Sequence, residues 1–351
     1  MNIFNLLDYL IENQGSDIHV IVGHQPVVRV DGELRPVETA PVLSPDDVQA
    51  LIDPLLTPEQ KEFVRVNKEL DLGYQYGKKG RFRTNIYHSQ GHLAACLRLI
   101  PTEIRTIEEL NLPSVLHKIT EWQQGFVLIT GPTGEGKSST LAAIIDEINR
   151  QRAEHIVTIE DPIEFVYEPK QSIISQRQLH RDTQDWNVAL RSVLREDPDI
   201  ILVGEMRDAE TMGAAITAAE TGHLVFATLH TSTAAQTIDR IIDVFPSHQQ
   251  SQVRQQLAAN VKAVVSQRLL KRIQGGRVPA LEIMIANNAI RNLIREEKIY
   301  QIDNVIQTAA QDDMILMENY LLQLVQKGAV ARDVALRHSF RPHELRRLMG
   351  M

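Results

Sequence analysis

The stretch Gly131-Pro-Thr-Gly-Glu-Gly-Lys-Ser138 fits the pattern G-x-x-x-x-G-K-[ST] of a phosphate-binding loop. An apolar run at residues 126–130 comes directly before it, and a helix-like stretch at 140–150 follows it. A strand that delivers such a loop to the start of a helix aims backbone N–H groups at phosphates, at the positive end of the helix dipole. The two flanks therefore favour a nucleotide-binding loop over a chance glycine-rich turn.

The residue types inside the loop suit ATP and Mg²⁺. Glycines allow the backbone to approach the phosphates without a side-chain clash. Lys137 would place its ammonium on the β- and γ-phosphates, and the Ser138 hydroxyl would bind Mg²⁺. The predicted nucleotide-binding residues are Gly131, Pro132, Thr133, Gly134, Glu135, Gly136, Lys137, Ser138 and Ser139.

Composition limits the other function classes. The chain has 351 residues, enough for two or three domains, and a formal net charge of −8, which disfavours a surface that coats nucleic acid. Its single cysteine, Cys96, cannot form an internal disulfide and is expected to be a small buried hydrophobe. Residues 1–11 are apolar but lack a basic start and a cleavage site, so they predict an amphipathic helix rather than a signal peptide. No apolar run is long enough to predict a membrane span.

The predicted secondary-structure pattern changes near residue 100. Residues 17–100 predict antiparallel strands plus a helix that begins at Ser44-Pro45, with turns at Asp31-Gly32 and at residues 77–80. From about residue 115 the pattern becomes β-α-β. Four apolar runs predict buried parallel strands, namely residues 126–130, 156–159, 200–203 and 224–228. The expected domains are an N-terminal domain at 1–100, a linker at 101–114, an ATPase core at 115–285 and a helical region at 286–351.

Polar residues follow each of these runs, where open α/β sheets bind their ligands. The second run is followed by Glu160-Asp-Pro-Ile-Glu164, which supplies carboxylates for orienting or deprotonating a water and for holding Mg²⁺. The alternative is a solvated acidic turn. Glu205 follows the third run where a Walker-B acid stands. His230 follows the fourth run and is a candidate γ-phosphate sensor, whereas His223, at the start of that run, is equally well explained as a structural histidine.

At this point the chain resembles the type II/type IV secretion ATPases. Residues 158–165, 197–207 and 223–230 are similar to the Asp box, Walker B and His box of that family, and Ser16-Asp-Ile-His19 is similar to its N-terminal domain. Residues 289–296, Ala-Ile-Arg-Asn-Leu-Ile-Arg-Glu, resemble the C-terminal signature of the pilus-retraction branch. The resemblance covers nearly the whole chain. It implies an α/β fold with a RecA-like P-loop ATPase domain, preceded by a smaller α+β (PAS-like) N-terminal domain.

The resemblance also implies roles for matching residues. Glu164 would be the general base, and Glu205 would order the metal site together with Ser138. His230 would sense the γ-phosphate. Three basic residues of the N-terminal domain would act across a subunit interface, where an arginine stabilises charge on the transferring phosphoryl group, although a solvated strand face is the alternative; they are Arg81, Arg83 and Arg98.

Three residues depart from the family pattern. Glu135 stands where the family usually has Ser, and Ser139 where it usually has Thr, while Ala227 replaces a frequent Gly. Glu135 puts a negative side chain close to bound phosphate unless it points outward or pairs with Lys or Arg.

The signature at residues 289–296 predicts an amphipathic helix. Ile290, Leu293 and Ile294 would share a buried face, and Arg291 and Arg295 an exposed one. Spacing alone indicates an ordinary surface helix, and the resemblance shifts it toward a surface that couples hydrolysis to retraction.

The resemblance implies a homo-oligomeric, hexameric ring that disassembles type IV pili from the cytoplasmic side of the inner membrane, at the pilus base. The expected partners are the inner-membrane platform protein, the pilus machinery and a second retraction ATPase, without nucleic acid. One alternative is an assembly or secretion ATPase, although such relatives often carry a tetracysteine zinc element and this chain has one Cys. A RecA-like nucleic-acid motor would need aromatic stacking platforms, and only 5% of residues are aromatic. Lys137, Glu164 and Glu205 argue against a non-hydrolysing regulatory partner.

Overall fold

The computed structural model describes residues 2–30, 32–77, 79–100 and 103–351. The chain divides into two compact units, the first made of Met1–Glu103 with Pro162–Val166, and the second of Ile104–Asp161 with Tyr167–Met351. The predicted turn residues Asp31 and Lys78, and the first two linker residues, Pro101 and Thr102, lie outside the described residues. The domain limits expected from the sequence stay a prediction.

The first unit is an antiparallel sheet covered by helices on one face. Its strand order is β3-β2-β1-β6-β5-β4. The N-terminal helix is amphipathic as predicted, and it buries Leu6 and Leu10 in a core shared with Phe82 and Leu97. The elements are α1 (Ile3–Glu12), β1 (Asp17–Val20), β2 (Val27–Val30), β3 (Glu33–Pro36), α2 (Pro45–Ile52), α3 (Pro58–Asn67), β4 (Glu69–Tyr76), β5 (Gly80–Ser89) and β6 (His92–Ile100), with a 3₁₀ turn at Asp53–Leu55.

Local sequence accounts for these elements. The predicted helix start at Ser44 is confirmed, because Ser44 Oγ accepts a hydrogen bond from Asp47 N at 3.2 Å and the Asp47 carboxylate accepts one from Ser44 N at 2.9 Å. Alternation along β5 buries Phe82 and Ile86 and puts Arg83 on the other face, opposite Arg98 of β6. Cys96 lies on this polar face and is half-buried rather than fully buried, contrary to the prediction.

The second unit contains a seven-stranded sheet. Its strand order is β13-β12-β7-β11-β10-β8-β9, and each neighbouring pair is parallel except β12 with β13. The elements are α4 (Val115–Thr120), β7 (Gly125–Thr130), α5 (Lys137–Gln151), β8 (His155–Glu160), β9 (Ile173–Gln178), α6 (Trp186–Val193), β10 (Ile200–Val203), α7 (Ala209–Glu220), β11 (Leu224–Leu229), α8 (Ala234–Asp243), α9 (Ser247–Asn260), β12 (Val261–Lys271), β13 (Arg277–Ile285), α10 (Asn288–Arg295), α11 (Ile302–Thr308), α12 (Met317–Gln326), α13 (Arg332–His338) and α14 (Pro342–Leu348), with 3₁₀ turns at Ile299–Gln301 and Ala310–Asp312.

The four predicted parallel strands are confirmed as β7, β8, β10 and β11, and nearly all of their residues are buried. Their carboxyl ends meet at one edge of the sheet, which brings together the segments that begin at Gly131, Asp161, Gly204 and His230. Beyond β13, helices α12 to α14 confirm the helical C-terminal stretch and enclose a separate apolar cluster with Leu270 and Val278. Among the described residues, no helix is both long and apolar enough to cross a membrane.

Candidate functional site

The loop between β7 and α5 has the backbone that its glycines predict. Gly131, Gly134 and Gly136 adopt positive φ angles of 142°, 84° and 82°. A Cβ on Gly131 would lie 2.4 Å from the Gln267 carbonyl oxygen of β12, closer than real contacts allow. Only glycine therefore fits at Gly131, because both the backbone conformation and the neighbouring strand exclude a side chain.

The start of α5 has no side-chain cap at this loop. The residue before the helix, Gly136, provides no side-chain hydrogen bond to the first helical N–H groups. Lys137 is only 8% exposed, and its Nζ donates to the carbonyl oxygens of Gly131 at 2.7 Å and Pro132 at 2.9 Å. The loop thus folds around the Lys137 ammonium and concentrates positive charge at the helix N-terminus, an arrangement that suits an anion.

Glu135 turns toward β12. Its carboxylate accepts a hydrogen bond from the Leu269 backbone N–H and lies 3.4 Å from Nη1 of Arg268. The Gln267 side chain donates to the Glu135 carbonyl at 2.7 Å and accepts from Thr140 Oγ1 at 2.7 Å. The departure from the family pattern thus fastens the loop to β12, and Arg268 offsets the negative charge of Glu135.

A cavity of about 370 Å³ opens beside the loop, and sequence reasoning missed it. Part of its wall comes from the predicted linker, where Ile107 and Leu112 are buried. A signal was present, because Thr106 and Glu109 form the reciprocal capping bonds of a T-x-x-E pattern. The polar and glycine residues that line the cavity are Arg105, Glu109, Asn111, Gly136, Ser139, Thr140, Gln267, Arg272, Gly276 and Arg277.

The ends of β10 and β11 bring two predicted site residues together. Glu205 Oε1 lies 3.0 Å from His230 Nε2, and Glu205 Oε2 lies 2.9 Å from Arg207 Nη2. Burial raises the pKa of Glu205, but hydrogen bonds and charge from Arg207 and His230 outweigh it, and the net pKa is lowered. Glu205 is therefore held as a carboxylate, and the two strand ends are further joined by Met206 N donating to Thr228 O at 3.2 Å.

The two glutamates of the 160–164 segment have different surroundings. Glu160 is 8% exposed and accepts hydrogen bonds from Thr158 Oγ1 at 2.8 Å and Gln176 Nε2 at 3.3 Å. Glu164 is half-buried and lies in Pro162–Val166, which packs with the first unit. Glu160 thus belongs to the second unit and Glu164 to the first, a division that the sequence spacing did not suggest.

The three predicted arginines all contact their own chain. Arg81 is 7% exposed, and its Nε donates to Ile163 O at 3.2 Å. The other two make ion pairs on the polar face of the first sheet. Arg83 bonds Asp71 at 2.7 Å, whereas Arg98 bonds Asp17 at 2.8 Å with a side chain that is 67% exposed. Arg98 thus presents the most surface to a neighbouring molecule, and a role in trans stays a prediction for all three.

The signature helix α10 corrects one expectation. Ile290 and Ile294 are fully buried as predicted, with Leu293 packed beside them. Arg291 is not on an exposed face. Its guanidinium donates to four backbone carbonyls, those of Ala258, Ala259, Val261 and Ala286. Arg291 therefore caps the end of α9, while Arg295 is exposed and bonds Asn292.

Two other polar residues have structural contacts. His223 Nδ1 lies 2.9 Å from Ala218 O, at the end of α7, which favours the structural interpretation of this histidine. Glu282 of β13 is fully buried and accepts from Ala234 N, the first residue of α8, at 2.8 Å. Burial raises the pKa of Glu282 to about 7.

Comparisons with known proteins show the family of this chain. The family model of type II/IV secretion system proteins matches residues 3–335. The chain is 47% identical over 335 residues to the type IV pilus retractation ATPase PilT of Pseudomonas aeruginosa, covering 95% of this chain and 97% of that protein. It is 49% identical over 315 residues to a twitching motility protein of Neisseria gonorrhoeae, covering 90% and 84%.

A solved structure extends the similarity to the whole fold. The crystal structure of the pilus retraction motor PilT with bound ADP matches with a TM-score of 0.93 and 44% identity, over 99% of each chain. The predicted fold class, an α+β unit followed by a RecA-like ATPase unit, is thereby confirmed. The chain belongs to the type II/IV secretion system protein family and is a P-loop ATPase of that family.

Proposed function

We propose that this ATPase is the motor that disassembles type IV pili during retraction. The observation that carries the proposal is the similarity to retraction motors along almost the entire chain, from the N-terminal sheet through the signature helix α10. The intact phosphate loop supports a motor that hydrolyses nucleotide rather than a regulatory partner.

The loop residues fit ATP. A phosphate oxygen can replace the Gly131 and Pro132 carbonyls as partner of the Lys137 ammonium, at the end of α5 that lacks a side-chain cap. The adjoining 370 Å³ cavity has the size and the mixed polar lining that suit the nucleoside part. Arg105, Arg272 and Arg277 in that lining add positive charge near the phosphates.

The polar residues at the strand ends fit Mg²⁺ and hydrolysis. Ser138 and Glu205 would hold the ion, directly or through water, and bound Mg²⁺ would neutralise charge on the phosphates. Glu205 suits this role because its lowered pKa keeps it ionised. Glu164 would orient the attacking water and accept its proton. His230, 3.0 Å from Glu205, would report the state of the γ-phosphate to the same carboxylate.

The proposed assembly is a homo-oligomeric ring, most simply a hexamer, at the cytoplasmic face of the inner membrane. Exposed Arg98, and Arg83 beside it, would reach the nucleotide of a neighbouring subunit. The inner-membrane platform protein at the pilus base would receive the motion, with a second retraction ATPase as a further partner.

The chemical test uses two variants of the purified chain. Lys137→Ala should abolish hydrolysis because phosphate charge is no longer compensated. Glu164→Gln should still bind ATP but stop turnover, since an amide cannot accept the proton from water. Hydrolysis by Glu164→Gln at the wild-type rate would overturn that assignment and point to Glu160.

A cellular test separates retraction from assembly. Cells that carry Lys137→Ala in place of the wild-type chain should be heavily piliated and should not move by twitching. Cells without pili would instead identify a pilus-assembly ATPase. Normal pili with a secretion defect would identify a secretion ATPase.

A further inference from the structure

We infer that Arg81 positions the Glu164 segment of its own subunit, instead of reaching the nucleotide of a neighbour. The inference rests on the proposed role of Glu164 as the base. It assigns to Arg81 a function different from that of Arg83 and Arg98, although all three lie on one face of the same sheet.

The contact acts directly on the backbone next to Glu164. Arg81 Nε donates at 3.2 Å to Ile163 O, and the bond is buried. This carbonyl belongs to the planar peptide group that joins Ile163 to Glu164. A charged donor that fixes the orientation of this peptide also fixes the direction in which the chain enters Glu164. The guanidinium suits this task because its planar fork is rigid.

The backbone around Arg81 is fixed by neighbouring strands. Arg81 lies at the start of β5, between Gln75 of β4 and Ile100 of β6. The Gln75 side chain donates to the Gly80 carbonyl at 3.3 Å and to Gly77 at 2.8 Å, which ties down the strand start. With 7% of its surface exposed, Arg81 offers little to another subunit, whereas the Arg98 side chain is 67% exposed.

The segment that accepts this hydrogen bond lies between two stretches of the second unit but belongs to the first unit. Pro162–Val166 packs with the first unit, while Asp161 and Tyr167 on either side belong to the second. Ile163 is 8% exposed. Glu164 thus lies in a segment that belongs to the first unit, and Arg81 provides a charged contact to the preceding peptide.

Kinetics of single variants give the first test. Arg81→Ala should lower kcat for ATP by about 10- to 100-fold, the loss expected from a misplaced catalytic group. The KM for ATP should change less than threefold, because Lys137 and its loop are untouched. Arg81→Lys, which retains a charged donor, should recover part of kcat. The matched control is Arg65→Ala, which removes an exposed ion pair with Glu62 from the same unit and should leave both constants unchanged.

Mixed rings give the decisive test. In rings assembled from Arg81→Ala and Glu164→Gln subunits, a trans-acting Arg81 would create some complete sites, and activity would recover. If Arg81 acts within its own subunit, each site lacks either the base or its anchor, and activity should stay at the level of the separate variants. Recovery in confirmed mixed rings overturns the inference, and so does wild-type kcat in Arg81→Ala. If Arg81→Ala does not fold, Arg81→Gln takes its place in the mixture with the same two outcomes.

The proposed function fails in a different way. A wild-type chain that forms rings but does not hydrolyse ATP would refute the motor, whatever the Arg81 variants do.

Discussion

Arg291→Ala should destabilise the ATPase unit far more than its place in a surface helix suggests. The guanidinium donates to the carbonyls of Ala258, Ala259, Val261 and Ala286. The first two belong to the last turn of α9, where carbonyls lack partners within the helix and the dipole favours a positive charge.

The expected loss can be estimated from these bonds. A hydrogen bond from a charged donor contributes about 1.5–3 kcal/mol when it is well buried. Arg291 is only half-buried and one guanidinium shares all four contacts, so water replaces part of each. We expect Arg291→Ala to lower the free energy of unfolding by about 2–4 kcal/mol in total.

Arg295→Ala is the matched control. Arg295 lies on the same helix, is exposed, and bonds the Asn292 side chain at 2.9 Å. Its removal should cost about 0.5 kcal/mol or less. Urea unfolding of both variants, followed by tryptophan fluorescence and circular dichroism, measures the two free energies. A loss below about 1 kcal/mol for Arg291→Ala, or equal losses for both variants, would refute the capping role.

The variants Arg291→Ala and Arg295→Ala also distinguish an effect on stability from an effect on the coupling of hydrolysis to retraction. Arg295→Ala should form rings and hydrolyse ATP at a substantial fraction of the wild-type rate, because its fold is intact. If α10 is a coupling surface, cells with this variant should nevertheless be heavily piliated and unable to retract. Normal retraction would show that Arg295 has no coupling role and lies on an ordinary solvated helix face.

Three further predictions concern Glu282, Gly131 and Arg98. The pKa of Glu282 is about 7 when folded and 4.5 ordinarily, so its stabilising effect is complete below pH 4.5 and about 3 kcal/mol is lost as pH rises to 7. Glu282→Gln should lack this pH dependence, so the difference in the free energy of unfolding between the wild type and the variant should change with pH over this range; a difference that does not change with pH would contradict the raised pKa. Gly131→Ala should abolish ADP binding in calorimetry, because its Cβ would meet Gln267 O at 2.4 Å; binding at wild-type affinity would contradict the clash. Rings that mix Arg98→Ala with Lys137→Ala should regain part of the ATPase activity, and no recovery would assign Arg98 to the sheet surface.

The sequence predicted the elements whose signals are local. Four continuous apolar runs became β7, β8, β10 and β11, since strands buried on both faces need apolar residues at every position. Strand β9 was missed because Ile173–Gln178 lies at an edge of the sheet and is mostly polar. The sequence placed Glu205 and His230 after strands but did not predict their contact, which depends on β10 and β11 being neighbours in the sheet.

Contacts between segments that are distant in the chain could not be predicted from the local sequence pattern. Helical spacing put Arg291 and Arg295 on one face but could not show that the end of α9 covers Arg291. Strand alternation likewise put Arg81 with Arg83 and could not show that Ile163 comes to bury it. The orientation of Glu135 depends on β12, whose contacting residues lie more than a hundred positions later in the chain.

The placement of β7 has a consequence for synthesis on the ribosome. β7 is the first strand of its sheet to be made, yet its two neighbours are β11, which begins at Leu224, and β12, which begins at Val261. At translation rates of about 5–20 residues per second, Gln267 emerges on the order of ten seconds after Thr130. Until then the apolar strand has no partner and the phosphate loop lacks the residue that Gly131 packs against. We therefore expect a chaperone that shields residues 125–130 during this interval to raise the yield of active ATPase.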